Sequence, residues 1–189
     1  ASIAVTSGRY DDAEGLLKRA APHAASSGDV HCLAAYHVVL GNVLLKLRRF
    51  DHAAASYQVA AGLYELVSDR ARQAGAGGDV ARAHMLAGRP RMASQAYAAA
   101  IGSNDLARNA RVTIAANYAI CLVWLGEWGK ALTLLEDVGM QASSIGLHGD
   151  VSRMLTIQAL IALRLSDLDK ASSLACRWLE IARANALVR

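Results

Sequence analysis

The chain has 189 residues, 54% of them hydrophobic and 19% charged, enough apolar material to bury a core and too few charges for a disordered tail. Two prolines against recurrent Ala, Leu, Arg and Glu favour helices over strands. No apolar run approaches the roughly 18 to 20 residues that span a bilayer, and no basic-then-apolar leader opens the chain, so no membrane partner is expected.

In chain order, the apolar periodicity predicts helices near 10–26, 29–47, 51–73, 79–87, 90–103, 105–125, 128–144, 148–165 and 168–187. Ala1 to Ser7 reads as the tail of a preceding helix, which marks the sequence as a fragment of something longer. Gly75-Ala76-Gly77-Gly78 should interrupt the pattern and leave a loosened joint, followed by a short helix over 79–87. The net charge of +4 is not read as a nucleic-acid footprint, because Lys46, Arg48, Arg49, Arg70, Arg72, Arg108 and Arg111 fall near expected helix ends, where cations are favoured.

Laid against itself, the chain repeats one segment five times: Gly8 to Ala13, Arg48 to Ala53, Gly88 to Ala93, Gly126 to Ala131 and Ser166 to Ala171. The closing alanines, Ala13, Ala53, Ala93, Ala131 and Ala171, recur with a period of about 40 residues, which means stacked supersecondary units. In each copy a small or polar residue ends one helix, and a large apolar residue two places on plugs the corner. The alanine three places further lets the next helix approach closely. The face continues four and seven residues later, at Leu17 and Ala20, Tyr57 and Ala60, Tyr97 and Ala100, Leu135 and Val138, and Ala175 and Trp178.

With the large-small pairs Leu40-Gly41 and Tyr118-Ala119 upstream, this pattern resembles the tetratricopeptide repeat (TPR). The second copy, Leu40-Gly41 through Phe50, Ala53, Tyr57 and Ala60, is the clearest. Units of about 40 residues exceed the family's usual length and are similar to those of bacterial regulators related to the maltose activator. The resemblance implies an all-α fold, a right-handed α-α superhelix of about five helical hairpins, a TPR-like solenoid. Its repeats would cover 1–27, 28–73, 74–104, 105–145 and 146–189 within one domain. Arg48 and Ser166 stand where the family has Gly, and Pro90 and Leu168 where it has an aromatic.

No catalytic constellation is found. The six histidines show no i, i+4 pair and no H-E-x-x-H, so no metal site is expected; His37 and His84 read as core or groove positions. Cys32, Cys121 and Cys176 lie far apart in apolar patterns and read as buried, reduced thiols, which fits a cytoplasmic setting. No enzyme activity and no cofactor are expected, and direct nucleic-acid contact is not.

The resemblance implies that first helices line a concave groove for a protein or peptide. The contact candidates are Val38, Asn42, Lys46, Arg82, Met85, Asn117, Ile120, Arg153 and Thr156, with Ala35, Ala116, Trp124 and Leu160 at the same kind of position. A clamp for a partner's terminal carboxylate is not expected, since Val38 stands where that clamp has Lys; Asn42, Arg82 and Arg153 could instead orient a peptide backbone. Trp178 and Ile181 leave the last helix unusually apolar, which suits a further repeat or a homodimer. The reading is a protein- or peptide-binding module, the interaction or sensor region of a bacterial transcription regulator, with a freestanding adaptor or secretion chaperone as the alternative.

Overall fold

The computed structural model describes residues 10–186, every one of its elements an α-helix: α1 (Tyr10–Ser26), α2 (Val30–Lys46), α3 (Phe50–Leu66), α4 (Arg70–Leu86), α5 (Pro90–Ile101), α6 (Arg108–Trp124), α7 (Trp128–Ser144), α8 (His148–Arg164) and α9 (Leu168–Ala186). The expected stub over Ala1 to Ser7 and the corner residue Gly8 lie outside the described residues. Four complete hairpins and the second helix of another are therefore described. They divide into two compact units, Ala1–Leu106 with α1 to α5 and Ala107–Arg189 with α6 to α9.

The corners explain the period. Arg48, Ser68, Gly88, Gly126, Gly146 and Ser166 all have left-handed backbones, with φ between 57° and 76°. At each, the next amide reaches back to the carbonyl five residues earlier, as in Arg49 N–H to Leu44 (2.8 Å), Asp69 to Tyr64 (2.9 Å) and Asp167 to Ala162 (2.9 Å). This is the Schellman closure, which satisfies carbonyls that the helix end would leave bare. The next helix starts at once on the large residue that the sequence places there, Phe50, Pro90, Trp128 or Leu168. Helices α2, α3 and α4 have equal lengths and equal joins, so that Val30, Phe50, Arg70 and Pro90 open successive helices at a constant step. Two such steps make one repeat unit. Helix α5 has only 12 residues, and its join to α6 is correspondingly longer.

Glycine adopts left-handed φ without the clash that a Cβ brings. Ser68→Gly and Ser166→Gly should each raise stability by roughly 0.5–1 kcal/mol, while Gly88→Ala, whose Cβ would meet nothing within 4 Å, should lower it by a similar amount through backbone strain alone. Thermal unfolding of the three variants checks this; equal midpoints would show that the corners are relaxed whatever residue occupies them.

The repeat alanines sit at the hearts of the hairpins: Ala13, Ala53, Ala93 and Ala131 are fully buried and Ala171 nearly so. Leu17, Tyr57, Tyr97 and Leu135, four residues on, are buried beside them. In the last copy this face turns outward, with Ala175 and Trp178 exposed and Leu174 taking the buried place. Gly41 packs directly against Tyr57: a Cβ built on it would lie 2.6 Å from the ring.

Two expectations are corrected. Gly75 to Gly78 forms no joint; it runs inside α4. The break comes earlier, where Ser68 turns left-handed and the Asp69 carboxylate caps α4 by accepting from the Arg72 amide (3.1 Å). The glycines cost helix propensity, and the helix holds because α4 packs between α3 and α5, with Ala74, Ala76, Gly78 and Val80 buried. In consequence Arg70 and Arg72 open α4 rather than closing α3, and Arg108 and Arg111 likewise stand in the first turn of α6. Cations are disfavoured at that end of the helix dipole; Arg72 is offset by Asp69 at 3.0 Å. Lys46 does close α2.

Candidate functional site

In the first unit the first helices are α2 and α4, and two of the expected contact residues meet between them. Asn42 Oδ1 accepts from the Tyr57 hydroxyl (2.7 Å) and from Arg82 (3.2 Å), and Arg82 also donates to the Tyr57 oxygen (3.3 Å). The same guanidinium pairs with Asp79, one turn back on α4, at 2.9 Å. Burial raises the Asp79 carboxyl above its ordinary value against the pull of Arg82, and it pushes the Tyr57 hydroxyl up to about 12. Burial alone would lower Arg82, but Asp79 and Tyr57 outweigh it and its pKa is raised. The group therefore stays charged and pins three helices, α2, α3 and α4, through one side chain.

Val38 is half-buried against the clusters around Tyr57 and Tyr64, a wall of the core more than a free contact. Met85 is half-buried and Lys46 exposed. His84 is buried and His37 half-buried; desolvation lowers both imidazoles below their usual value, so they are neutral packing groups near neutral pH.

The second unit brings together another pair from the same set. Asn117 Oδ1 accepts from Arg153 at 3.2 Å, Arg153 pairs with Asp150, and the Thr113 hydroxyl donates to Asp150 at 3.2 Å. Thr156 is exposed, its hydroxyl turned back to the Ser152 carbonyl (2.9 Å), and Ile120 is half-buried. Ala116 is fully buried and so is no contact residue. Trp178 is exposed and Ile181 half-buried on α9.

Of the cysteines, Cys121 is buried and its thiol pushed up to about 11 by burial, as its apolar neighbours required. Cys32 and Cys176 are exposed, a correction: they occupy outward faces of α2 and α9, where an apolar sequence neighbourhood does not translate into burial. Among the described residues no group of His, Cys, Asp and Glu is placed to hold a metal ion, and no helix is long and apolar enough to cross a membrane.

The helix starts Val30, Phe50, Arg70 and Pro90 recur with the same spacing as Arg108, Trp128, His148 and Leu168, so the two units share one register. In that register the Asn42, Tyr57 and Arg82 positions become Ile120, Leu135 and Leu160. The polar pin of the first unit is thus replaced by apolar side chains in the second. Beside Leu160, the one of these three that lines it, lies a cavity of about 470 Å³ walled by Val123, Trp124, Trp128, Leu160, Ile161 and Arg164. Trp124 is 70% exposed and Leu160 57%, while the Arg164 guanidinium lies over the Trp128 ring at 5.8 Å. Trp124 and Leu160 are visible in the sequence as groove positions. Trp128 is not, since it reads there as a corner plug, and Arg164 carries no mark there.

No protein-family model matches this sequence, and no curated protein does either. Solved structures do match it. BtubC (BKLC) of P. vanneervenii superposes with a TM-score of 0.85 at 16% identity, over 98% of this chain and 78% of that one. A kinesin light chain-like protein of Podosopora anserina with nearly identical TPR-like repeats gives 0.77 at 14% identity, over 97% and 92% of the two chains. A single-residue variant of it gives 0.79 at 15% identity, over 98% and 92%. At such identities the likeness is one of fold: an all-α helical repeat of TPR-like hairpins.

Proposed function

We propose that this chain is a protein- or peptide-binding repeat module whose first helices, α2, α4, α6 and α8, carry the contact residues, and that it serves as the interaction or sensor region of a cytoplasmic bacterial transcription regulator. The observation that carries the binding part is the pairing of first-helix side chains into preset constellations, Asn42 with Arg82 and Asn117 with Arg153. Ordered polar groups of this kind bind an extended backbone with little further loss of freedom. The TPR-like solved structures support a scaffold role, and the long repeats resembling those of the maltose activator's relatives support the regulator. An apolar cavity on the second unit favours the second reading, an adaptor or chaperone that shields an apolar client segment.

Asn42 and Arg82 also pin helices, so the test uses Lys46 and Thr156, both exposed. Purified chain should retain a partner from source-cell lysate, and Lys46→Glu with Thr156→Arg should reduce capture several-fold at unchanged helicity. One dominant protein in the eluate supports the adaptor, and a peptide or metabolite supports the sensor. Undiminished capture by the folded double variant would move the site off these helices.

A further inference from the structure

Resting on the binding reading above, we propose that the tryptophan-walled cavity of the second unit is the anchor point for an acidic peptide segment. A bulky apolar side chain of that segment lies against Trp124 and Leu160, and a neighbouring Asp or Glu carboxylate lies on Arg164. The cavity is no accident of the repeat. In the matching register of the first unit, the Leu160 position carries Arg82, tied to Asn42 and Tyr57, and the Trp124 position carries Lys46. The same two positions carry cationic side chains in one unit and an apolar and an aromatic one in the other. Two of the chain's three tryptophans wall it, and tryptophan supplies much contact area at small entropic cost.

Charge selects the partner. Among the described residues Arg164 is the one ionisable group lining the cavity, and no carboxylate of the described residues pairs with it. Its guanidinium face is occupied by the Trp128 ring, which leaves the in-plane N–H groups as donors for a carboxylate. Arg164 is exposed, so its charge adds attraction for an acidic segment and repulsion for a basic one. A partner's C-terminal carboxylate is the poorer fit, because such a group is held by several convergent donors and here one cation faces it.

The test measures binding of two acetylated, amidated probe peptides to the full chain by tryptophan fluorescence, one with Phe between Asp and Glu residues, the other with Phe between lysines. The acidic probe should bind about fivefold more tightly at low salt, and the margin should shrink as salt is added. Arg164→Gln should erase that margin. Leu160→Arg, which imports the residue of the first unit, should abolish binding of both probes, and Trp124→Ala should weaken it about tenfold. Equal binding of the two probes, or an acidic probe whose Phe can be changed to Ala without loss, overturns the proposal. If the probes fail while wild-type chain still captures a partner that Leu160→Arg also captures, the cavity is not the anchor and the binding module stands. If the probes fail and no partner is captured, the binding reading falls as well.

Discussion

Gly41→Val should destabilise the first unit by about 3 kcal/mol, at the upper end of the cost of overpacking a helix contact. A Cβ at this position meets three ring carbons of Tyr57 at 2.6 to 2.8 Å. The ring cannot swing away, because Tyr57 is fully buried and its hydroxyl is bonded to Asn42 and Arg82. Valine is also only slightly better than glycine as a helix former, so little propensity gain offsets the clash. Gly62→Ala is the control: a Cβ there meets nothing within 4 Å, and the change should stabilise by up to about 1 kcal/mol. Urea midpoints of the two variants moving in opposite directions would establish that contact, not the mere presence of glycine, matters at Gly41. If both gain stability, the Gly41 packing is looser than the structure has it.

Arg82→Leu should cost about 2 kcal/mol at pH 7, discounted from the cost of breaking a fully buried pair because 40% of the Arg82 side chain meets solvent. The loss leaves the Asp79 carboxylate without its cation and removes a donor from Asn42 and Tyr57. The pH dependence has a definite sign. Desolvation already holds the folded-state pKa of Asp79 above 3.8, and Arg82 is what pulls it down. Without Arg82 it rises further, so the folded variant takes up a proton more readily than its unfolded chain. Its deficit is therefore largest at neutral pH and shrinks as the pH falls through the elevated pKa. Asp79→Asn in the Arg82→Leu background should restore most of the stability at pH 7. A deficit that does not change with pH would mean that the pin acts through packing of the arginine stem alone.

What the sequence makes legible is the set of positions at which chemistry is repeated. The corner residue, the large side chain two places on and the buried alanine recur at every second corner because each hairpin has the same close helix contact to make, and so Ala53, Ala93 and Ala131 can be placed in the core from the pattern alone. Gly75 to Gly78 misleads because local propensity opposes tertiary packing there, and packing between α3 and α5 wins. Ser68 hides the true break: a left-handed serine carries no compositional mark, whereas Gly88 and Gly126 do. The site is legible in half. Asn42 and Arg82 stand out as first-helix polar groups, but their partners do not. Tyr57 reads as a core residue, which is where its ring lies. The available signal is the Asp-x-x-Arg spacing, present at Asp79 to Arg82 and again at Asp150 to Arg153, which puts an acid one helical turn before each bridging arginine.

The constant step from corner to corner has a consequence for how such a chain can change length. One helix and the short join after it return the backbone to an equivalent starting point, as from Val30 to Phe50 and from Phe50 to Arg70. An in-frame duplication or excision of two steps therefore joins one corner to another and leaves the neighbouring helices facing surfaces they already know. An insertion of a single residue within a helix instead rotates everything beyond it by about 100° about the helix axis and turns the alanine seam out of the interface. Unequal recombination between gene copies is thus sieved by geometry: whole hairpins pass, fragments of them do not. The shortened α5 is the exception among the described helices, and it falls where the first compact unit gives way to the second, at a join between hairpins and not within one.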